Sequence, residues 1–466
     1  MRSATVLIGL IAAVVLAPAA MAGSRQREPQ MKVLLSESSS IALRADGNQR
    51  LQVQGLPGGD QSLQRLRLQV RGSRLEAVLD GRAVSLPLGE LLTVQNDDPR
   101  GIWLGQRRYR GVLRVSARGG RLRVVNAVGI ETYLSSVVGS EMPHQWPLAA
   151  LQAQAVAART YALKQRSRGG GWDLKATVAS QVYRGVESET PSTREAVSST
   201  RSLVLVHGGR LIDAVFHSSS GGVTEASGMV WRLQHPYLVS VQDHDQHSPV
   251  HRWEEWFDPD GLRRRLPETG GLKQVQVLSR SMSGRVRQAR LQGPRGTLVL
   301  SGAELRKRLG LKSTLVDFEM VTGARPTFRS PEPVIARAQV TGEGTGSRID
   351  RITASVSAVT QPRRSRMSLV APPPALSTGL QLRVRGQGYG HGVGMSQWGA
   401  HGLAQQGADF RTILQHYYRG ASVVPYRSHH DASLALLPPA TPVWKNSSGR
   451  PFGTVSLSAS ALPHQR

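Results

Sequence analysis

The first third of the chain alternates short apolar runs with polar and turn-forming residues. Five such runs lie at residues 31–35, 41–43, 51–53, 66–70 and 75–79. Alternation over a few residues, bounded by Gly and Asp, is typical of half-buried β-strands. We therefore predict a mostly-β N-terminal unit over residues 23–105. A β-hairpin follows, in which strands at 109–115 and 121–125 flank a turn at 116–120.

A helical period replaces the alternation after residue 130. Residues 131–138 give a short amphipathic stretch, and residues 148–166 give a longer one. In the longer stretch, small apolar residues from Leu148 to Ala162 recur at steps of three and four. Pro147 favours a helix start here, because its missing N–H costs nothing in a first turn. Since the repeated face is so small, we predict a helix buried at the centre of its domain.

Further strands alternate with loops and short helices. Strand patterns occupy residues 202–206, 211–216, 274–278, 286–291 and 297–300. A long loop over residues 217–260 lies between them, and loops of this length are usually functional. Two short helices end at Gly310 and Gly420, and Asp409 is the N-cap of the second.

These patterns together predict an α+β fold. The mixed domain covers residues 106–320 plus 381–422. Residues 321–380 are rich in Gly, Pro, Ser and Arg and are interpreted as an insertion, and residues 423–466 as a low-complexity tail.

Residues 1–22 have the layout of a secretory signal peptide. Arg2 precedes an apolar run from Val6 to Ala17, and small residues lead to a cleavage site after Ala22. The run is shorter than the roughly 18 to 20 apolar residues that a membrane span needs. We expect an exported protein of the periplasm or cell wall, with no transmembrane segment in the mature chain.

Charge and cysteine content narrow the function further. The chain has 59 Lys and Arg against 32 Asp and Glu, and only 7 of the basic residues are Lys, so arginine dominates a formal charge of +27. Such a surface attracts polyanions. Because the protein is expected to be exported, we favour cell-wall or anionic lipid surfaces over nucleic acid. The absence of Cys excludes disulfides, thiol nucleophiles and thiolate metal sites.

Three separated segments carry the most distinctive sequence. They read ETYLSSVVGSEMPHQWPLAALQAQAVAARTYAL at 131–163, FHSSSGGVTEASGMVW at 216–231 and GQGYGHGVGMSQWGAHGLAQQG at 386–407. In this order they resemble the SpoIID/LytB family, which comprises sporulation stage II protein D and the amidase enhancers. The resemblance implies a peptidoglycan protein. The sporulation branch implies a lytic transglycosylase that cleaves glycan strands stripped of stem peptides, and the enhancer branch implies stimulation of a cell-wall amidase.

Glu141 is the candidate catalytic acid. A lytic transglycosylase needs one carboxyl group, unlike glycosidases that use two, and no other acidic residue lies within nine positions of Glu141. Met142, Pro143 and Trp146 give it apolar surroundings, which favour the protonated form of a carboxyl group. The resemblance implies the same role for this residue. The alternative is a glutamate that caps the following helix.

Arg159 is the second candidate catalytic residue. It lies within the Ala-rich helix, where a charge needs a partner or a ligand. The resemblance implies a role in activity, which would be to hold a glycan oxygen with its planar fork. A structural salt bridge to Glu141 or Glu131 is the alternative.

The glycine-dense segment supplies candidate substrate contacts. Its glycines permit close backbone approach and positive φ, and His391, Ser396 and Gln397 lie within it. It lacks the strand, helix and distant acid of a dinucleotide site, so we exclude that interpretation. The alternative is that these three side chains are packing partners of the core. Arg252 beside Trp253 is a further candidate, since a ring and a guanidinium can grip an anionic sugar.

The histidines of the 217–260 loop raise the question of a metal. Their spacing matches no histidine-based zinc signature. The resemblance implies zinc in some family members through His and Cys near His217, but serine occupies those Cys positions here. We assign no metal and no cofactor, with His217 as the one candidate ligand.

The sequence thus predicts a secreted protein that remodels peptidoglycan. The favoured function is a lytic transglycosylase acting on glycan strands, preferably denuded ones, with Glu141 as acid and base. The alternative is a non-catalytic, wall-binding enhancer of an N-acetylmuramoyl-L-alanine amidase. A basic interaction protein without activity is a third class, and the biological process is left open.

Overall fold

The structure is a computed structural model that describes residues 28–72, 74–87, 89, 91–166, 171–322 and 379–427. The predicted signal peptide, nearly all of the predicted insertion and most of the tail lie outside the described residues. In the described ranges, no helix is long and apolar enough to cross a membrane.

The described residues form eight α-helices and strands in several sheets, which confirms the α+β class. The strands are β1 Gln30–Ser38, β2 Ser40–Arg44, β3 Leu51–Gln54, β4 Gln61–Leu63, β5 Arg65–Arg71, β6 Arg74–Leu79, β7 Arg82–Leu86, β8 Leu91–Gln95, β9 Ile102–Leu104, β10 Arg107–Tyr109, β11 Val112–Arg118, β12 Arg121–Gly129, β13 Leu174–Lys175, β14 Leu203–His207, β15 Arg210–Leu211, β16 Phe216–His217, β17 Arg252–Phe257, β18 Gln274–Arg280, β19 Val286–Gly293, β20 Gly296–Ser301, β21 Leu315–Thr322, β22 Leu380–Gln387, β23 Met395–Ser396 and β24 Ser422–Pro425. The helices are α1 Ile130–Glu141, α2 Leu148–Gln165, α3 Pro191–Ser199, α4 Ser227–Val230, α5 Pro259–Arg265, α6 Gly302–Leu309, α7 Gln397–Gln405 and α8 Phe410–Tyr417, with a 3-10 turn at Val186–Ser188.

The chain divides into two compact units. Unit one comprises Met1–Tyr133 and Gly170–Glu187, and unit two comprises Leu134–Gly169 and Ser188–Arg466. Domain boundaries predicted from composition stay predictions, because this division follows contacts between residues.

Unit one is built from two sheets. One has the strand order β13-β1-β12-β11-β8-β3-β4 and the other the order β10-β9-β2-β5-β6-β7. β12 of the first sheet contacts β2 and β5 of the second. Alternate residues along the strands are buried, as in β5, where Leu66 and Leu68 point inward and Arg65 and Arg67 are exposed. The predicted mostly-β character of this region is confirmed.

The predicted hairpin is present as β11 and β12. The strands pair antiparallel from Val112 opposite Ala127 to Arg118 opposite Arg121. Gly119 and Gly120 form the turn with φ of 58° and 71°, values that favour glycine. The turn thus lies within the predicted residues 116–120. The first strand is shifted three residues toward the turn, and the second extends four residues further than predicted.

Unit two is organised around α2. This helix contacts α3, α7, α8 and β14, and twelve of its eighteen residues are buried. The small side chains allow neighbours to approach on several faces, so the predicted central position is confirmed. Pro147 is the residue before the first turn and has an extended ψ of 139°, one position earlier than proline's most favoured site.

Part of unit two forms a lobe with a core of its own, which we call the sheet lobe. It contains α5, α6 and the sheets β17-β22-β21 and β18-β19-β20. Its core includes Phe257, Leu291, Leu305 and Leu382. The antiparallel pair β21–β22 brings Thr322 opposite Leu380, so the described residues that border the predicted insertion are neighbours.

Of the predictions made for unit two from local sequence, two helix ends are correct and one loop is wrong in part. Gly310 ends α6 in the left-handed conformation with φ of 77°, and the Asp409 side chain caps α8 by accepting the Thr412 N–H at 2.8 Å. Both predictions are confirmed. The single loop predicted over residues 217–260 is wrong in part, because α4 and β17 lie within it. β17 forms because it has β22 as a partner from far along the chain, which local pattern cannot reveal.

Candidate functional site

Glu141 is the last residue of α1 and is half-buried. The helix cannot continue normally, because Pro143 has no N–H to donate. A turn in which the Trp146 N–H donates to the Pro143 carbonyl at 3.2 Å leads into α2. The carboxylate therefore lies where two helices meet, with part of its surface open to solvent.

An aromatic cluster packs beside this turn. The ring centroid of Trp146 is 4.7 Å from that of Trp398 and 4.7 Å from that of His401. The Nδ1 atom of His401 is buried without a hydrogen-bond partner, and burial lowers the pKa of this imidazole. These contacts attach the turn after Glu141 to α7 through largely apolar surfaces.

α7 also brings an amide to the carboxylate. The Gln397 Nε2 atom donates to Glu141 Oε2 at 3.5 Å, which is long for a hydrogen bond. Ser396, the preceding residue, is fully buried and caps α7 by accepting the Gly399 N–H at 3.1 Å. The structure thus brings two predicted site residues together, and gives Ser396 a capping function.

The glycine-rich segment, residues 386–399, is held between other parts of unit two. β23 within it pairs in parallel with β16, which places His217 opposite Ser396. Every second residue from Gly388 to Gly394 has a positive φ, a conformation that favours glycine. A side chain at Gly394 would collide with the Val215 carbonyl. At this position glycine allows close packing against the protein's own backbone, and the predicted close approach to a ligand stays a prediction.

His391, within this segment, lies beside His217 of β16. The ring centroids of His217 and His391 are 5.4 Å apart, and that of Trp231 is 5.3 Å from His391. Burial lowers the pKa of His217 well below its usual value and lowers the pKa of His391 to about 4. Both imidazoles are therefore neutral near pH 7. Trp231 is 42% exposed, so its indole presents an apolar surface to solvent.

The hydrogen bonds of these histidines bear on the metal hypothesis. His217 Nδ1 lies 3.1 Å from the Val393 carbonyl, which makes it the protonated nitrogen, and its buried Nε2 has no partner. One such nitrogen would suit zinc. However, His391 Nδ1 accepts the Val393 N–H at 3.1 Å, and the described part of the chain places no three His, Asp or Glu side chains to hold a metal ion. The donor set at His217 does not fit zinc.

Arg159 is fully buried in α2. Its guanidinium donates to the Leu203 carbonyl at 3.1 Å and to the Val197 carbonyl at 3.3 Å. These bonds tie α2 to the end of α3 and the start of β14. The position suits a structural role, and the predicted contact with substrate stays a prediction.

A buried polar network beneath the glycine-rich segment was not predicted from the sequence. Asp243 accepts hydrogen bonds from Ser220 and Tyr417, and Asp245 accepts the Gly221 N–H at 2.7 Å and contacts His251 Nδ1 at 3.0 Å. The alternation Asp-His-Asp in an otherwise polar loop was the available signal. It was interpreted as part of a histidine cluster.

Arg285 is the cation of this network. It is 3% exposed and donates to the Ser220 carbonyl at 2.7 Å and to the Val223 carbonyl at 3.2 Å. A side chain at Gly392 would lie 2.6 Å from its Nε atom. Arg285 therefore supports the glycine-rich segment from below.

Arg252, the remaining predicted site residue, lies on a different element. It begins β17 in the sheet lobe, is exposed, and stands opposite Gln387 of β22. Gln387 is followed directly by the residues that lead to His391. Arg252 is thus connected to the glycine-rich segment through β22.

The amino-acid sequence is similar to those of several known proteins. The model of the stage II sporulation protein family, SpoIID, matches residues 118–207, which include Glu141, α2 and Arg159. The stage II sporulation protein D of Bacillus amyloliquefaciens is 28% identical over 320 residues, which cover 64% of this chain and 75% of that protein. The resemblance to the SpoIID family is confirmed.

Two further relatives extend the SpoIID resemblance. An amidase enhancer of Bacillus subtilis is 30% identical over 306 residues, which cover 63% of this chain and 40% of the enhancer. An uncharacterised protein of Brachyspira hyodysenteriae is 29% identical over 329 residues, or 70% of this chain and 75% of that protein. These similarities, like that to stage II sporulation protein D, reach well beyond residues 118–207.

Proposed function

We propose that this protein is an exported peptidoglycan lytic transglycosylase with Glu141 as its catalytic acid and base. The observation that carries the proposal is a half-buried carboxylate at the junction of α1 and α2, beside an amide donor from α7. The similarity to stage II sporulation protein D and to an amidase enhancer supports action on the cell wall.

The reaction needs one carboxyl group in two states. Protonated Glu141 gives its proton to the glycosidic oxygen as the bond to the muramic C1 breaks. The resulting carboxylate then takes the proton of the C6 hydroxyl of the same sugar, and that oxygen closes on C1 to form the 1,6-anhydro ring. The proton returns to Glu141, so no water is consumed and no cofactor is required.

Neighbouring residues have defined tasks in this proposal. The Gln397 amide orients the carboxyl group by donating to Glu141 Oε2. Neutral His391 can bond sugar hydroxyls without repelling the arginines, and the fully buried Ser396 supports the first turn of α7 behind Gln397. Arg159 holds α2 in place and Arg252 contacts the anionic strand.

Product analysis tests the proposal directly. Denuded and intact peptidoglycan are incubated with the wild-type chain, Glu141→Gln, and Glu195→Gln, a matched variant at an exposed position of α3. We expect 1,6-anhydromuramic ends from the wild type and Glu195→Gln, with denuded strands cut faster, and none from Glu141→Gln. Absence of such ends with all three proteins would overturn the transglycosylase function.

The amidase-enhancer function is the second candidate. The observation that favours it is the 30% identity to an amidase enhancer of Bacillus subtilis. In that case the same surface would bind glycan without cleaving it, and a cell-wall amidase would be the partner. Faster release of stem peptides by an added amidase, equally with wild type and Glu141→Gln, would support this function.

A further inference from the structure

We propose that a cavity in the sheet lobe, lined by Arg252, Arg280 and Arg385, binds the free lactyl carboxylate of a muramic sugar. This inference rests on the proposed action on peptidoglycan. It assigns a separate subsite, outside the surroundings of Glu141, that selects glycan strands by the charge of their muramic residues.

The cavity lies over the strands β17, β22 and β21. Its volume is about 550 Å³, within the roughly 300–1,000 Å³ typical of ligand sites. Besides the three arginines, the lining includes Gln387, Leu315 and the acidic residues Glu254 and Asp317. A sugar ring with its acetamido and lactyl substituents would find charged, amide and apolar groups on the same wall.

The arginines of the cavity differ in how far carboxylates neutralise them. Arg280 pairs with Asp317 at 2.8 Å. Arg385 is 3.6 Å from Glu254 and 3.7 Å from Glu319, and both of these carboxylates lie closer to another arginine.

That other arginine is Arg383. It pairs with Glu254 at 2.9 Å and with Glu319 at 3.3 Å. Among the residues that the structure describes, no carboxylate pairs with Arg252. Four arginines therefore face three carboxylates, and the uncompensated charge is that of Arg252, with Arg385 only weakly paired.

The position of the cavity connects it to the glycine-rich segment. Gln387 lines the cavity and is opposite Arg252, and the chain reaches His391 four residues later. The Trp253 Nε1 atom donates to the Gly388 carbonyl at 2.8 Å, which fixes the chain where it leaves the sheet. The cavity and His391 are therefore joined by a short stretch of chain whose start is fixed by pairing and by the Trp253 hydrogen bond.

The chemistry favours a carboxylate on a sugar over other groups. An arginine fork matches a carboxylate in two parallel hydrogen bonds. The Gln387 amide suits an acetamido group, and Glu254 and Asp317 can accept from sugar hydroxyls. A lactyl group in amide linkage to a stem peptide has lost its charge, so the cavity would prefer denuded strands.

Binding of one matched pair of ligands tests the subsite. The ligands are a tetrasaccharide of alternating N-acetylglucosamine and N-acetylmuramic acid, and the same molecule with its lactyl carboxyl groups converted to carboxamides. Affinities are measured by calorimetry in the Glu141→Gln background, so that the ligand is not consumed. We expect about tenfold tighter binding of the acid, from charge-assisted hydrogen bonds.

Three arginine variants test whether the cavity causes the preference for the acid over the carboxamide. Arg252→Gln and Arg385→Gln should each reduce the ratio between acid and amide to about threefold or less. Arg290→Gln removes the same charge from β19, outside the cavity lining, where Arg290 donates to Gln276 at 3.0 Å, and should keep the full ratio. Thermal unfolding establishes that each variant is folded.

The outcomes separate this inference from the proposed function. Equal binding of acid and amide by the parent protein, or an undiminished ratio in both cavity variants, would overturn the subsite even if the wild type cleaves glycan. A ratio that depends on Arg252 and Arg385 would support it even if no anhydro ends are ever formed.

Discussion

The glycine-rich segment meets two regions of unit two that are built in opposite ways. On the Glu141 side, the contacts include a long amide–carboxylate hydrogen bond and the edges of aromatic rings. On the other side, Asp243, Asp245 and Arg285 are buried and hold several charge-assisted hydrogen bonds each. A buried charge is costly unless it is well partnered, whereas a half-buried carboxylate needs few partners.

This difference indicates that the two regions have different functions. The buried network fixes the backbone of the segment, and the Glu141 side keeps a carboxyl group that is half-buried and partly open to solvent. Reactive groups work best when a rigid support holds them from behind. Substitutions on the two sides should therefore separate loss of stability from loss of chemistry.

The largest effect on stability is expected at Arg285. Arg285→Met removes the donors to the Ser220 and Val223 carbonyls and the positive charge near the buried carboxylates of Glu225, Asp243 and Asp245. It should lower the free energy of unfolding by about 3–5 kcal/mol. Urea unfolding measures the loss. Arg287→Met, at an exposed position of β19, should change it by less than about 0.5 kcal/mol. Equal losses of stability in the two variants would show that the buried network stabilises the fold no more than an exposed arginine does.

A smaller loss is expected at Arg159. Arg159→Met removes the donors to two buried carbonyls and should cost about 2–3 kcal/mol in the same unfolding assay. Because the side chain is fully buried, glycan affinity of the folded variant should be retained. Unchanged stability with lost glycan affinity would instead support the substrate contact that the sequence suggested.

The histidines under the segment predict a dependence of stability on pH. The pKa of His391 is about 4 in the fold, against 6.5 ordinarily, so the unfolded chain binds more protons between these values. Stability should therefore fall as the pH falls through this window, with His391 contributing on the order of 3 kcal/mol. His391→Gln should reduce the slope of the curve between pH 6.5 and 4, where the buried His217, whose pKa is also lowered, still contributes. A curve identical to the wild type would contradict the assignment.

The smallest effect on stability is expected at Glu141 itself. Glu141→Gln replaces a half-buried carboxylate by an amide of the same shape and should change the free energy of unfolding by less than about 0.5 kcal/mol. Activity should nevertheless be lost. A large destabilisation would place Glu141 among the supporting residues and remove the contrast between the two sides.

The sequence predicted local features of the fold well. The alternation of unit one, the glycine turn between β11 and β12, and the buried α2 all follow from patterns within a few residues of each other. The left-handed Gly310 and the Asp409 cap likewise depend on local chemistry. Such features need no knowledge of distant partners.

Features that depend on distant pairing were missed. β17 forms against β22, more than a hundred residues away. Arg285 donates to the Ser220 carbonyl, 65 residues before it in the chain, and only the fold brings its charge near Asp243 and Asp245. The sequence could nominate Glu141 and Gln397 but not their contact. The sequence also did not predict that Arg159 would bond backbone carbonyls, because sequence alone does not distinguish a buried structural arginine from one that binds a ligand.

The central claim is that the C6 hydroxyl oxygen of the muramic sugar, and not water, takes the place of the glycosidic oxygen on C1, with Glu141 moving the proton. Digestion of denuded peptidoglycan in water labelled with oxygen-18 tests it directly by mass spectrometry of the new muramic ends. We predict anhydro ends without label from the wild-type chain. New muramic reducing ends in place of anhydro ends, absent from an incubation without protein, would contradict the account, because a reducing end forms only when water displaces the glycosidic oxygen from C1.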